Sequence, residues 1–190
     1  IHRFSNDPVK VGGTFYWDVL RLFHEIKQGI LKAKAAGGFD SVGIDTWGVD
    51  YALIDKNGRM MANPTHYRDT RTVNITDYVK QFVSPEEIYN VTGIQAIDFN
   101  TLNQLAADRR DDPEMLARAD KMLFIPDLLN YFLTGKMATE YTIASTGMVL
   151  DANSRKLAGE LLAKLGIPES KFAPMVQPGT CLGSLLPSIN

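Results

Sequence analysis

Three short clusters carry side chains able to recognise a polar ligand. The first is Gly43-Ile44-Asp45-Thr46-Trp47-Gly48-Val49-Asp50. An apolar run delivers Asp45 to its carboxyl end, where open α/β sheets place ligands. Trp47 offers a flat apolar face, and Gly48, without a Cβ, lets a ligand approach the backbone closely. Carboxylates and backbone groups to pair hydroxyls, with a ring to cover a C–H face, are what a sugar requires. The plainer reading is a strand turn whose Trp47 is core and whose Asp45 caps a neighbour, and residue types alone lean toward it.

The second cluster, His66-Tyr67-Arg68-Asp69-Thr70-Arg71, packs an aromatic ring, two arginines and a carboxylate into one loop. Arg68 and Arg71 could orient a polyol or reach acids across a cleft. Equally, they could form a local Arg–Asp pair on the surface, which would contribute little. The third, Thr92 to Thr101, is a loop leading into a helix. Capping by Asn100 or Thr101 outweighs ligand contact there. Ile125-Pro126-Asp127 reads as a structural helix start. His2, His24 and His66 lack metal-ligand spacing, and His24 reads as a surface residue on a helix. No Walker phosphate loop, GxGxxG, HExxH or GxSxG occurs.

The elements that would position these clusters follow from periodicity. Val19, Leu22, Phe23, Ile26, Ile30 and Ala33 recur at helical steps, with Asp18 as N-cap and Gly37-Gly38 as stop. Residues 1–4 read as the end of a strand, and Gly12-Gly13 as part of a loop. Residues 41–45 predict a short buried strand and residues 49–55 a second. Asp55-Lys56-Asn57-Gly58 predicts a turn returning Arg59-Met60-Met61 as a third. Helices are predicted over 74–83, from Ser84-Pro85 onward, over 101–110, over 119–133 closed by Gly135, and over 157–165. The pattern is α/β with a mixed sheet and flanking helices.

The chain has 190 residues, 45% hydrophobic, with a formal charge of −2. That is globular composition with no basic excess to attract nucleic acid or anionic membrane. No run of about 18 apolar residues suggests a membrane span. Cys181 is the one cysteine, so no internal disulfide is possible and a reducing, cytoplasmic compartment is expected. The opening residues do not read as a signal peptide, and both ends read as cuts through something larger.

The order of the clusters resembles the rhamnulokinase branch of the FGGY carbohydrate-kinase family. The resemblance rests on "DSVGIDTWGVDYALIDKNG", "HYRDTRT", "IYNVTGIQAIDFNTLNQL" and "FIPDLLNYFLTGKMATEYTIASTG". It implies a ribonuclease-H-like, actin-like ATPase fold. Residues 1–150 would form the sugar-binding amino-terminal domain, and 151–190 its remainder, leading toward a second domain. It further implies transfer of the γ-phosphate of ATP to the 1-hydroxyl of L-rhamnulose, with magnesium. Gly48 matches a glycine that touches sugar in the family, in a segment that also holds Asp45 and Trp47. Tyr67, with Arg68 beside it, sits where relatives place an aromatic against the sugar. Asp98, Phe99 and Asn100 match a stretch lining the same pocket. Many relatives carry Lys and Trp in the following helix, where Gln104 and Ala106 stand at or near those places.

The family's phosphate-binding segment is expected ahead of residue 1, and its catalytic aspartate beyond residue 190. No nucleotide, metal or catalytic residue is therefore expected within this chain, which should be inactive alone. Three other readings stay open: a kinase for another ketose, such as L-fuculose or D-xylulose, a non-catalytic sugar-binding module, and a purely structural α/β domain with no ligand.

Overall fold

The computed structural model describes residues 2–189. Its centre is a two-stranded antiparallel ribbon, β3 (Tyr51–Ile54) against β4 (Lys121–Phe124). Successive side chains of a strand point to opposite faces. Ala52, Ile54 and Leu123 thus face one layer, while Tyr51, Leu53, Met122 and Phe124 face another. On the first side pack Val19 and Leu22 of helix α1 (Val19–Ala35) and Leu128 and Leu129 of helix α6 (Ile125–Thr134). On the second pack Leu102, Leu105 and Ala106 of helix α4 (Thr101–Asp111), with Leu161 and Leu162 of helix α8 (Gly159–Lys164). All four β3 residues are buried, so the ribbon is the middle of a helix–strand–helix sandwich.

Local chemistry sets the element ends. Asp18 caps α1 by accepting from the Arg21 N–H, as expected. Ser84 caps helix α3 (Pro85–Thr92) through the Glu87 N–H, with Pro85 in the first turn and Gly93 in the left-handed region at its end. Helix α2 (Ile75–Val79) falls within the predicted 74–83 segment. The Asn57-Gly58 turn forms, with the Gly58 N–H donating to the Asp55 carbonyl. The expected third strand shrinks to one bridge between Ile54 and Met60.

Several expectations need correction. Residues 41–45 form no strand: they run without regular structure, and Ser41, Val42, Gly43 and Asp45 are exposed. A strand exists only where a neighbour takes its backbone groups, and among the described residues none pairs with this segment. His2 to Phe4 form no strand either, and Ile1 lies outside the described residues.

The helix expected over 119–133 is instead β4 followed by α6. Pro126 has no N–H to bond the Met122 carbonyl, so helix cannot extend back past the first turn. The freed residues 121–124 pair with β3.

Gly12-Gly13, read as a loop, is the turn of a hairpin between β1 (Val9–Val11) and β2 (Thr14–Tyr16), both glycines having positive φ. Helices α5 (Pro113–Arg118) and α7 (Tyr141–Ser145) and the short parallel pair β5 (Thr139–Glu140) and β6 (Met175–Val176) had no prediction. The pairings are thus of both kinds, spread over three two-stranded pieces among the described residues. No described helix is long and apolar enough to cross a membrane.

Candidate functional site

Just before β3 the chain makes a tight turn that Trp47, Gly48 and Val49 present to solvent. Tyr67 and Arg68 from the 66–71 loop and Phe99 from the loop before α4 close around it. The resulting concavity has a volume of about 440 Å³, within the range of small-molecule sites. Three of its six lining residues, Trp47, Tyr67 and Phe99, are aromatic, and two further rings stand behind them. Rings run in sequence from Trp47 to Trp17 (4.2 Å between centroids), His66 (4.2 Å), Tyr67 (4.5 Å) and Phe99 (5.5 Å). The Arg68 guanidinium lies 5.4 Å from the Tyr67 ring centre and brings a positive charge to the lining.

The wall is held from behind by Asp50, which is fully buried. Its Oδ2 accepts the indole N–H of Trp17 at 2.6 Å, that of Trp47 at 3.0 Å and the Tyr67 backbone N–H at 3.3 Å. Its Oδ1 accepts from Gln104 Nε2 at 3.0 Å. Burial raises the Asp50 pKa, and the Trp17, Gln104, Trp47 and Tyr67 donors hold that rise back.

Val49, between Gly48 and Asp50, has φ of 68°. That left-handed conformation is a strained one for a β-branched residue. The Val49 carbonyl accepts from Thr101 Oγ1 at 2.8 Å and from Gln104 Nε2 at 3.3 Å, which keeps the turn in place. A Cβ added at Gly48 would meet Thr146 Oγ1 at 3.4 Å.

His66 is buried between two rings, and its Nδ1 accepts the Arg68 backbone N–H at 2.9 Å. That bond requires the neutral ring with its proton on Nε2. Burial lowers the His66 pKa, although Asp50 pulls it the other way.

Of the side chains expected at a site, Trp47, Gly48, Tyr67, Arg68 and Phe99 come together. Asp45 does not: it is exposed and lines a separate, larger groove of about 1410 Å³ between residues 38–45 and 176–185. With residues 41–45 unpaired, nothing carries the Asp45 carboxylate toward Gly48. Asn100 stands one residue past Phe99 but is buried, and its amide donates to the Gln95 carbonyl at 3.0 Å. It occupies the N-cap position of α4 without a side-chain capping bond.

Arg71 points away from the concavity. It pairs with the buried Asp108, and its Nη2 donates to Gln104 Oε1 at 2.7 Å. Tyr51 donates to the other Asp108 oxygen at 2.5 Å. Burial raises the Asp108 pKa, with Arg71 and Tyr51 opposing it.

Sequence reading missed the roles of Val49, Asp50 and Thr101. A positive φ at a valine leaves no mark in composition, and Asp50 reads as one polar residue in an alternating strand. Gln104 was visible only as a departure from relatives.

Chemically, this wall can bind and orient a polyol. Its rings are of the kind that covers C–H faces, and the Arg68 guanidinium is of the kind that pairs hydroxyls. Its lining, among the described residues, holds no carboxylate or imidazole to take a proton from a hydroxyl. Among the described residues no group of three or more His, Cys, Asp or Glu could hold a metal.

The model of the FGGY family of carbohydrate kinases, N-terminal domain, matches residues 13–190. A curated rhamnulokinase from Bacteroides thetaiotaomicron is 45% identical over 186 residues, covering 97% of this chain and 38% of the relative. One from Enterococcus faecalis is 44% identical over 187 residues, covering 97% and 37%. The chain therefore spans under two-fifths of the length of these relatives.

Among solved structures, a gluconate kinase from Lactobacillus acidophilus superposes with a TM-score of 0.86 at 17% identity, over 98% of this chain and 38% of that one. A xylulose kinase from the same organism gives 0.86 at 17%, over 98% and 39%. At such identity these likenesses speak for the fold alone, the actin-like ATPase architecture of sugar kinases. The chain belongs to the FGGY family of carbohydrate kinases and corresponds to their amino-terminal domain.

Proposed function

We propose that this chain is the sugar-holding part of a longer kinase that transfers the γ-phosphate of ATP to the 1-hydroxyl of L-rhamnulose. The observation that carries the reading is the concavity at Gly48, walled by Trp47, Val49, Tyr67 and Phe99, with Arg68 at its edge. The mostly apolar lining suits a deoxy ketose, whose methyl end needs no hydrogen-bond partner. The identity to rhamnulokinases, 45% and 44% for the two described above, supports the same choice of sugar.

In this reading the residues bind and orient the ketose, and their rings exclude water from one side of it. ATP supplies the phosphoryl group and magnesium offsets its charge when bound. The described residues offer neither a metal cluster nor a base in the lining, so no step beyond sugar positioning is assigned to them. The 190-residue chain by itself then transfers no phosphate.

The test is an ATP-coupled assay on the longer protein with L-rhamnulose, L-fuculose and D-xylulose in parallel, repeated on this chain. The reading expects the highest kcat/KM with L-rhamnulose and no turnover by the chain alone. A clear preference for another ketose, or turnover by the isolated chain, would refute it.

A further inference from the structure

The Gln104 side chain lies behind the concavity rather than in it, and is 1% exposed. Its Nε2 is 3.3 Å from the Val49 carbonyl, 3.0 Å from Asp50 Oδ1 and 2.9 Å from the Phe99 carbonyl. Two N–H bonds are shared among three acceptors. On the other side Oε1 accepts from Arg71 Nη2 at 2.7 Å. The amide orientation is forced: flipped, its oxygen would face two carbonyls and a carboxylate while its N–H groups faced a guanidinium.

We propose that Gln104 is a positioning residue that sets sugar affinity without touching the sugar. Both walls it grips line the concavity. Val49 forms one, in a left-handed turn that would relax if its carbonyl were released. Phe99 forms the other and is held at its own carbonyl. Through Arg71 the same amide is anchored to Asp108, and through Asp108 to Tyr51 at the start of β3. Only a group that donates on one side and accepts on the other satisfies all these partners. The inference rests on the sugar-site reading above.

The experiment uses the longer protein and its steady-state kinetics with L-rhamnulose. Gln104→Met keeps volume and removes every bond. It is expected to raise KM roughly tenfold to a hundredfold, with kcat within about threefold. Gln104→Glu adds a pH readout. Its ionised form sets a negative charge against Asp50 and two carbonyls, while its protonated form restores one donor toward them and still accepts from Arg71. Arg71 faces it from the other side, with Asp108 and Tyr51 beyond.

KM of the Gln104→Glu variant should therefore fall toward the wild-type value as pH drops from about 8 to about 6, a trend the wild type does not show. That trend can be read even if Gln104→Met does not fold. Wild-type KM in Gln104→Met, or a KM in Gln104→Glu that follows the wild-type pH profile, overturns the inference and leaves the sugar reading intact. Absence of ketose-dependent turnover in the wild type overturns both.

Discussion

The Trp47 indole lies 4.2 Å from that of Trp17, centroid to centroid, and both N–H groups converge on Oδ2 of Asp50. A single buried carboxylate thus fixes the two tryptophans of the chain, one of which lines the concavity. Asp50→Ala leaves both indole donors and the Tyr67 N–H unpaired. An orphaned buried donor costs about 1–3 kcal/mol; Trp17 is buried and the other two donors are half-buried, so the variant should lose about 2 kcal/mol or more in urea denaturation. The near-ultraviolet dichroism of the paired indoles should weaken as well. An unchanged urea midpoint would show that the carboxylate holds nothing.

Val49 makes the opposite prediction. Replacing a half-buried valine by glycine ordinarily destabilises, but here glycine adopts φ of 68° freely. Release of about 1–3 kcal/mol of backbone strain should offset the lost contacts and the extra freedom of the unfolded chain. Val49→Gly should therefore stay within about 1 kcal/mol of wild type. A loss beyond about 2 kcal/mol, measured by the same denaturation, would mean the turn is not strained.

Two glycines beside the site should differ sharply. A Cβ at Gly147 would lie 2.8 Å from Thr101 Oγ1 and 3.0 Å from Thr101 Cβ, whereas one at Gly48 meets only Thr146 Oγ1 at 3.4 Å. Gly147→Ala should cost about 1–3 kcal/mol through overpacking and disturb the Thr101 bond to Val49. Gly48→Ala should change stability by less than about 1 kcal/mol. Thermal melts of the pair check the order, and equal losses would contradict it.

Asp127 predicts a pH dependence. Its carboxyl is buried at the start of α6, where burial pushes its pKa up to about 7; the Glu140 N–H lowers it and the Glu140 charge raises it. The folded state thus keeps a proton that the unfolded chain releases near its ordinary pKa of 3.8. The contribution to stability from this group falls as pH rises from about 4 to 7 and is flat above. Asp127→Asn should match wild type near pH ~4 and exceed it at pH ~8, by an amount on the order of a few kcal/mol. Parallel declines in both proteins would place the titration elsewhere.

Much of this was legible in the residues. The helical period of α1, its Asp18 cap and the Asn57-Gly58 turn are local signals, and local signals survive folding. Trp47, Gly48, Tyr67, Arg68 and Phe99, drawn from three clusters read in the sequence, line one concavity. What failed depended on distant partners. Residues 41–45 read as a buried strand because Val42 and Ile44 favour one, but a strand needs a neighbour that periodicity cannot supply. Residues 121–124 read as helix because Met122 and Leu123 fit a helical face, and β3 claims them from about 70 positions away. Arg71 reads as a candidate for the ligand until Asp108 and Gln104, both far along the chain, take its guanidinium.

The most direct test is a crystal structure of the longer protein with L-rhamnulose bound. The sugar should lie against Gly48 and Val49, with the rings of Tyr67 and Phe99 within about 4 Å of its C–H face and Gln104 still behind the turn. Ordered sugar in the groove between residues 38–45 and 176–185, with the Gly48 concavity empty, would contradict the account.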